Sequence, residues 1–183
     1  TSGDPVWAAD SRTLLYVHLD ANHRPSKILR HRVGTDPSED VVVFEDANPS
    51  YFLGIGKTQS DRYFVIDSHD HETSEAHILE ADDPAGVPRL VAPRRAAEKY
   101  DIDEANGTLY ILTNAGDAED FKIVTAPVAT PGREHWLDHV PHQHGRLILA
   151  HTAFCNWLVR LEREGGLPRI VVRNLATGEE HGI

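Results

Sequence analysis

Histidines are the residues of this chain best equipped for chemistry. His135, His139, His142 and His144 crowd one short stretch, and His69 and His71 form a second group. Imidazole is a common zinc ligand, but zinc needs three or four ligands converging from fixed elements, often with a further residue orienting each ring. Pro141 interrupts the first run, and neither a cysteine pair nor a His-Glu-x-x-His pattern completes either group. They read as surface histidines on loops, and no metal or cofactor is expected. Gly54-Ile55-Gly56-Lys57-Thr58 imitates the end of a phosphate-binding loop, but the motif requires glycine where the chain has Tyr51, and a helix where it has a turn and strand. A serine hydrolase of the elbow type needs Gly-x-Ser-x-Gly followed by an acid and a histidine. That motif is missing and the last serine is Ser74, so no catalytic residue is assigned.

A smaller set could face a ligand. Glu72, Thr73, Ser74 and Glu75 sit in a polar connection, and Arg94 and Arg95 follow Pro93. Thr73, Ser74, Glu75, Arg94 and Arg95 are taken as candidates for lining a substrate channel, against the plainer reading of solvated loops. The acid pairs Asp82-Asp83 and Glu179-Glu180 fall in turns and are expected to be solvated. Cys155, between Phe154 and Trp157, is expected to be a buried, inert thiol.

The elements that must carry these residues are strands. Tyr63–Ile66 and Ala76–Leu79 are apolar runs flanking a polar connection, the pattern of an antiparallel hairpin. A lone hairpin is not stable in water, so it must belong to a larger sheet. A turn precedes each strong strand: Asp10-Ser11-Arg12 before TLLYVHL, Ser60-Asp61-Arg62 before YFVIDS, Asn106-Gly107-Thr108 before LYILTN. These turns recur every ~46 to 50 residues, the period of four-stranded propeller blades. Each unit also has an apolar segment upstream of its turn and further strands downstream, such as Lys27–Val33 with Val41–Glu45 and Phe121–Ala126 with His135–Val140. A fourth unit starts near Arg146 and is expected to be cut short at Ile183. Asn106-Gly107 is the strongest short hairpin signal. No segment carries apolar residues at helical spacing over three turns, and Arg94–Lys99 is too short for a stable helix. The fold class is therefore all-β: a partial β-propeller of about four blades, approximately 5–49, 50–97, 98–145 and 146–183, in one domain. Its strands should be apolar on both faces, and the uncovered faces of the first and last blades should favour self-association or leave the piece marginally stable.

Composition agrees with an ordered domain: 183 residues, 40% hydrophobic and 26% charged. The net charge of −11 argues against nucleic-acid binding and favours cationic ligands. No apolar run approaches the ~20 residues of a membrane span. One cysteine rules out an internal disulfide framework and suits a reducing, cytoplasmic compartment, the periplasm being the alternative. The chain has no methionine, from which we expect an internal piece of a longer protein.

Several segments, in this order, resemble the propeller of the oligopeptidase B (protease II) group of the prolyl oligopeptidase family: VWAADSRTLLYV, LRHRVGT, TSEAHILEA, APRRAAEKYDID, LYILTN and NWLVRLEREGGLPRI. The resemblance spans essentially the whole chain. It implies a seven-bladed propeller capping a C-terminal α/β-hydrolase domain that bears a Ser-Asp-His triad. It also implies cleavage of short peptides after arginine or lysine, with the propeller excluding folded substrates. The triad lies beyond the region matched, so no catalytic residue carries over. The competing reading is a non-enzymatic propeller that scaffolds a protein partner.

Overall fold

The computed structural model describes residues 2–183 as four separate antiparallel sheets, each of four strands joined in sequence order. The first contains β1 (Ser2–Trp7), β2 (Thr13–Leu19), β3 (Pro25–Arg32) and β4 (Val41–Glu45); the second contains β5 (Phe52–Lys57), β6 (Tyr63–His69), β7 (Ser74–Glu80) and β8 (Arg89–Leu90). The third is built from β9 (Tyr100–Ala105), β10 (Thr108–Thr113), β11 (Lys122–Pro127) and β12 (Leu137–Val140). The fourth comprises β13 (Arg146–Ala153), β14 (Trp157–Glu164), β15 (Leu167–Asn174) and β16 (Glu180–Gly182). Where the sequence reading has this last unit cut short, Glu180–Gly182 closes it with a fourth strand, too short and polar to signal itself. Among the described residues the helices are single 3-10 turns at Pro37–Glu39 and Arg133–His135.

The recurring turns have a shared backbone cause. Ser11, Asp61 and Asn106 all take positive φ (55°, 59° and 54°), which lets the chain reverse tightly before β2, β6 and β10. In the third sheet the reversal is a two-residue turn: Ala105 pairs with Thr108, and Asn106 and Gly107 (φ 79°) supply the two left-handed positions. Before β2, the Asp10 carboxylate accepts the amides of Arg12 and Thr13 at 2.9 and 2.8 Å, which fixes the reversal.

The chain divides into two compact units, residues 1–96 and 97–183. In the first, Leu15, Val17 and Ile28 pack with Leu53, Phe64 and Ile66, so the first two sheets share a core. In the second, Tyr110, Leu112, Ile123 and Val140 pack with Ile148, Ala153 and Leu158, joining the third and fourth sheets. Gly54 is required by close approach, because a Cβ there would strike the Asp67 carboxylate of the neighbouring strand.

The expectation of apolar burial on both faces does not hold for the fourth sheet. Cross-strand pairing puts Trp157, Val159 and Leu161 of β14 on one face with Ile170 and Val172 of β15, and Trp157, Leu161 and Ile170 are 36–41% exposed. The other face is covered, and it holds charge as well as Leu158. Arg160 and Glu162 are 1% and 0% exposed. Arg160 Nε donates to Glu162 at 2.6 Å while its two terminal nitrogens grip the Glu180 carboxylate at 2.9 and 2.8 Å; Arg169 donates to Glu162 at 3.0 Å and Arg173 to Glu180 at 2.8 Å. Hydrogen bonds from Arg160 hold the Glu180 carboxyl down at about 2 against the opposing effect of burial.

Cys155 also departs from expectation. It is exposed, because residues 154–156 form the connection between β13 and β14, closed by the Phe154 amide donating to the Trp157 carbonyl at 2.7 Å. Phe154 and Trp157 are themselves 41% and 40% exposed, so they do not enclose the thiol.

Candidate functional site

Two of the sequence candidates meet in space. Ser68 of β6 pairs across the ladder with Glu75 of β7, which places their side chains on one face. The Val91 amide extends the β7–β8 ladder to the Ala76 carbonyl; beyond it Pro93 interrupts pairing and the chain turns Arg94 back over that face. The Arg94 amide donates to Glu75 at 2.9 Å and its guanidinium donates to Glu75 at 3.1 Å, to Asp46 at 2.6 Å and to Ser68 Oγ at 3.3 Å. Ser68 Oγ donates in turn to Asp46 at 2.6 Å. The Arg94 guanidinium lies over the Tyr51 ring, 4.0 Å from its centre, within cation–π range.

Asp46 follows β4, and its connection to β5 is tied down by Arg24. That side chain donates to the carbonyls of Asn48 at 2.8 Å, Tyr51 at 2.9 Å and Asp46 at 3.4 Å. Burial acts to raise the Asp46 and Glu75 carboxyls, but hydrogen bonds from Ser68 and Arg94 for the first, and from Arg94 for the second, outweigh it and hold both below their ordinary values. Burial likewise opposes the charge on Arg94, and its two carboxylate partners more than offset that. His77, two residues beyond Glu75 on the same face, packs against Phe44 at 4.4 Å, and burial lowers its pKa.

This is a clasp between sheets of the first unit rather than a reaction centre. Ser68 is fully buried and its proton is directed at Asp46, so it is not offered to a substrate. Asp46, Ser68, Tyr51 and Arg24 escape the sequence reading because they lie 22 to 48 residues from one another or from Arg94 in the contacts they make, with no spacing to link them.

The remaining candidates separate. The β6–β7 connection is shorter than the polar composition suggests: pairing continues to His69 with Ser74, and Asp70 closes the turn by accepting the amides of Glu72 and Thr73 at 2.8 and 2.7 Å. Ser74 and Glu75 thus begin β7, and Thr73 and Ser74 are only 4% and 9% exposed. Arg95 is exposed. The histidines do not act as one group. His135 is exposed, whereas His139 is half-buried with its ring edge-on to Tyr110 at 5.4 Å, its pKa lowered by burial and by the nearby Arg173 and Arg160. His69 pairs with Asp67 at 2.6 Å on the surface.

Four-stranded antiparallel sheets repeated along the chain are the units of a propeller. The family profile described as the prolyl oligopeptidase N-terminal beta-propeller domain matches residues 1–182. This chain belongs to the prolyl oligopeptidase family. Within that family it is 34% identical to dipeptidyl aminopeptidase BI of Pseudoxanthomonas mexicana, over 94% of this chain and 24% of that protein. It is 30% identical to protease 2 of Moraxella lacunata, over 93% of this chain and 24% of the other. The structure of oligopeptidase B from Leishmania major superposes with a TM-score of 0.89 at 30% identity, covering 98% of this chain and 26% of that one. The chain thus spans about a quarter of the length of the family members it matches. Its structure is that of the N-terminal beta-propeller domain of this family.

Proposed function

We propose that this chain is a gating segment of a serine oligopeptidase that hydrolyses short peptides after arginine or lysine. In this reading it contributes no catalytic side chain. It caps an α/β-hydrolase domain of the same polypeptide and admits only small or unstructured peptides. The observation that carries the reading is the superposition on oligopeptidase B with a TM-score of 0.89 over 98% of the chain. The choice of basic peptides draws further support from the net charge of −11, which attracts cationic substrates. A reducing, cytoplasmic compartment is part of the same proposal.

The test compares two proteins on an arginyl-amide peptide. The 183-residue chain alone should give no turnover above background, and the longer peptidase containing it should cleave after arginine and lysine in preference to proline. Deleting a blade from the longer protein should admit larger polypeptides. Turnover by the chain alone, a proline preference, or unchanged size selectivity would each overturn the corresponding part.

For the isolated chain we further propose self-association through the apolar face of Trp157, Leu161 and Ile170, a contiguous patch of the kind that marks an interaction surface. Sedimentation velocity should show a concentration-dependent dimer that Leu161→Glu returns to monomer; a monomer at all concentrations rejects it.

A further inference from the structure

We propose that Glu119, Asp120 and His144 form a binding site for a divalent transition-metal ion of the zinc type. The histidine run suggested metal chemistry, but its members are dispersed, and the acids that complete a ligand set come from a different connection. Glu119 and Asp120 lie between β10 and β11, and His144 lies between β12 and β13. One ligand atom from each falls within 4.8 Å of the others. His144 Nδ1 is 2.8 Å from Glu119 Oε1 and 3.8 Å from Asp120 Oδ2. An ion bound at about 2.0–2.1 Å in tetrahedral geometry holds its ligands about 3.3 Å apart, so the two distances bracket the required edge.

The two connections are locked together by backbone groups. Asp120 Oδ2 accepts the Gly145 amide at 2.6 Å, its carbonyl accepts the Ile148 amide at 3.0 Å, and its own amide donates to His142 Nε2 at 3.3 Å. Glu119 and His144 stand at the surface, 68% and 86% exposed, and add a 2.8 Å hydrogen bond between the same connections, which an ion inserted between the two side chains would replace. An imidazole beside two carboxylates also separates this set from a merely acidic patch. Oxygen-only sites suit magnesium and calcium, whereas a nitrogen ligand favours zinc and its neighbours. Coordination uses the Nδ1 lone pair, so the ring carries its hydrogen on Nε2, and protons compete with the metal as pH falls.

The test is calorimetric titration of the 183-residue chain with zinc chloride alone, and with magnesium chloride for comparison. One equivalent of zinc should bind, with no saturable magnesium binding over the same range. Affinity should fall at least about tenfold in His144→Ala and in Glu119→Gln, and stay unchanged in a His69→Ala/His71→Ala protein. Both substituted ligands are exposed, so the variants should keep the parent's circular dichroism. Unchanged stoichiometry and affinity in His144→Ala, no saturable zinc binding, or equal binding of magnesium would overturn the site.

Discussion

Replacing Arg160 with methionine should lower the unfolding free energy of the second unit by about 3 kcal/mol, the lower end of the range for removing one member of a buried ion pair. The loss comes less from the missing attraction than from what stays behind. Glu162 is 0% exposed, and without Arg160 its charge keeps, among the described residues, Arg169 at 3.0 Å and Arg146 at 3.6 Å. Removing both charges, as Arg160→Met with Glu162→Leu, should recover most of the stability, because methionine and leucine fill the space without an uncompensated ion. Urea denaturation followed through Trp136 and Trp157, in a Trp7→Phe background, reports on this unit. A single variant within about 1 kcal/mol of the parent, or a double variant worse than the single, would sink the argument. Acid provides a second readout. Glu180 titrates at about 2 in the folded chain against an ordinary 4.5, so its contribution is complete above pH 4.5 and fades as pH falls toward 2. The Arg160 variant should lose much of that dependence, since Arg160 is the main cause of the depression.

Arg94→Ala should cost about 2–4 kcal/mol in the first unit, because the Asp46 and Glu75 side chains, 10% and 14% exposed, are left without their shared cation. Arg94→Lys keeps the charge but loses the planar fork and the stacking on Tyr51, and should fall between the two. Both carboxyls sit below their ordinary values of 3.8 and 4.5. Their contribution is therefore present above those values and lost as pH falls through the lower folded ones. In Arg94→Ala the guanidinium's share of the depression is gone, while Ser68 on Asp46 and the residue-94 amide on Glu75 keep theirs, so the gap between variant and parent should narrow on acidification. Denaturation read through Trp7 at pH 7 and near pH 3 checks this, and a constant gap would mean that Arg94 does not hold the two carboxylates ionised.

The strands were legible because their information is local. Thr13–Leu19 and Tyr63–His69 are apolar stretches bounded by turn residues, and Asn106-Gly107 provides two left-handed positions in a row. Where composition misled, a neighbour in space had intervened. Ser74 and Glu75 are polar and read as loop, yet ladder pairing to Ser68 and His69 draws them into β7. Phe154 and Trp157 argue for a buried cysteine until the connection between β13 and β14 turns all three outward.

The amino-acid order by itself determined the repeating four-stranded unit and, through matched segments, the family, because turn residues and hydrophobic runs act over a few neighbouring positions. Only the tertiary structure decided which polar groups meet: Asp46 with Arg94 across 48 residues, Arg160 with Glu180 across 20, and Glu119 with His144 across 25. Each of those pairings depends on how strands stack and loops converge, and a polar contact at about 3 Å leaves no periodic trace in the sequence.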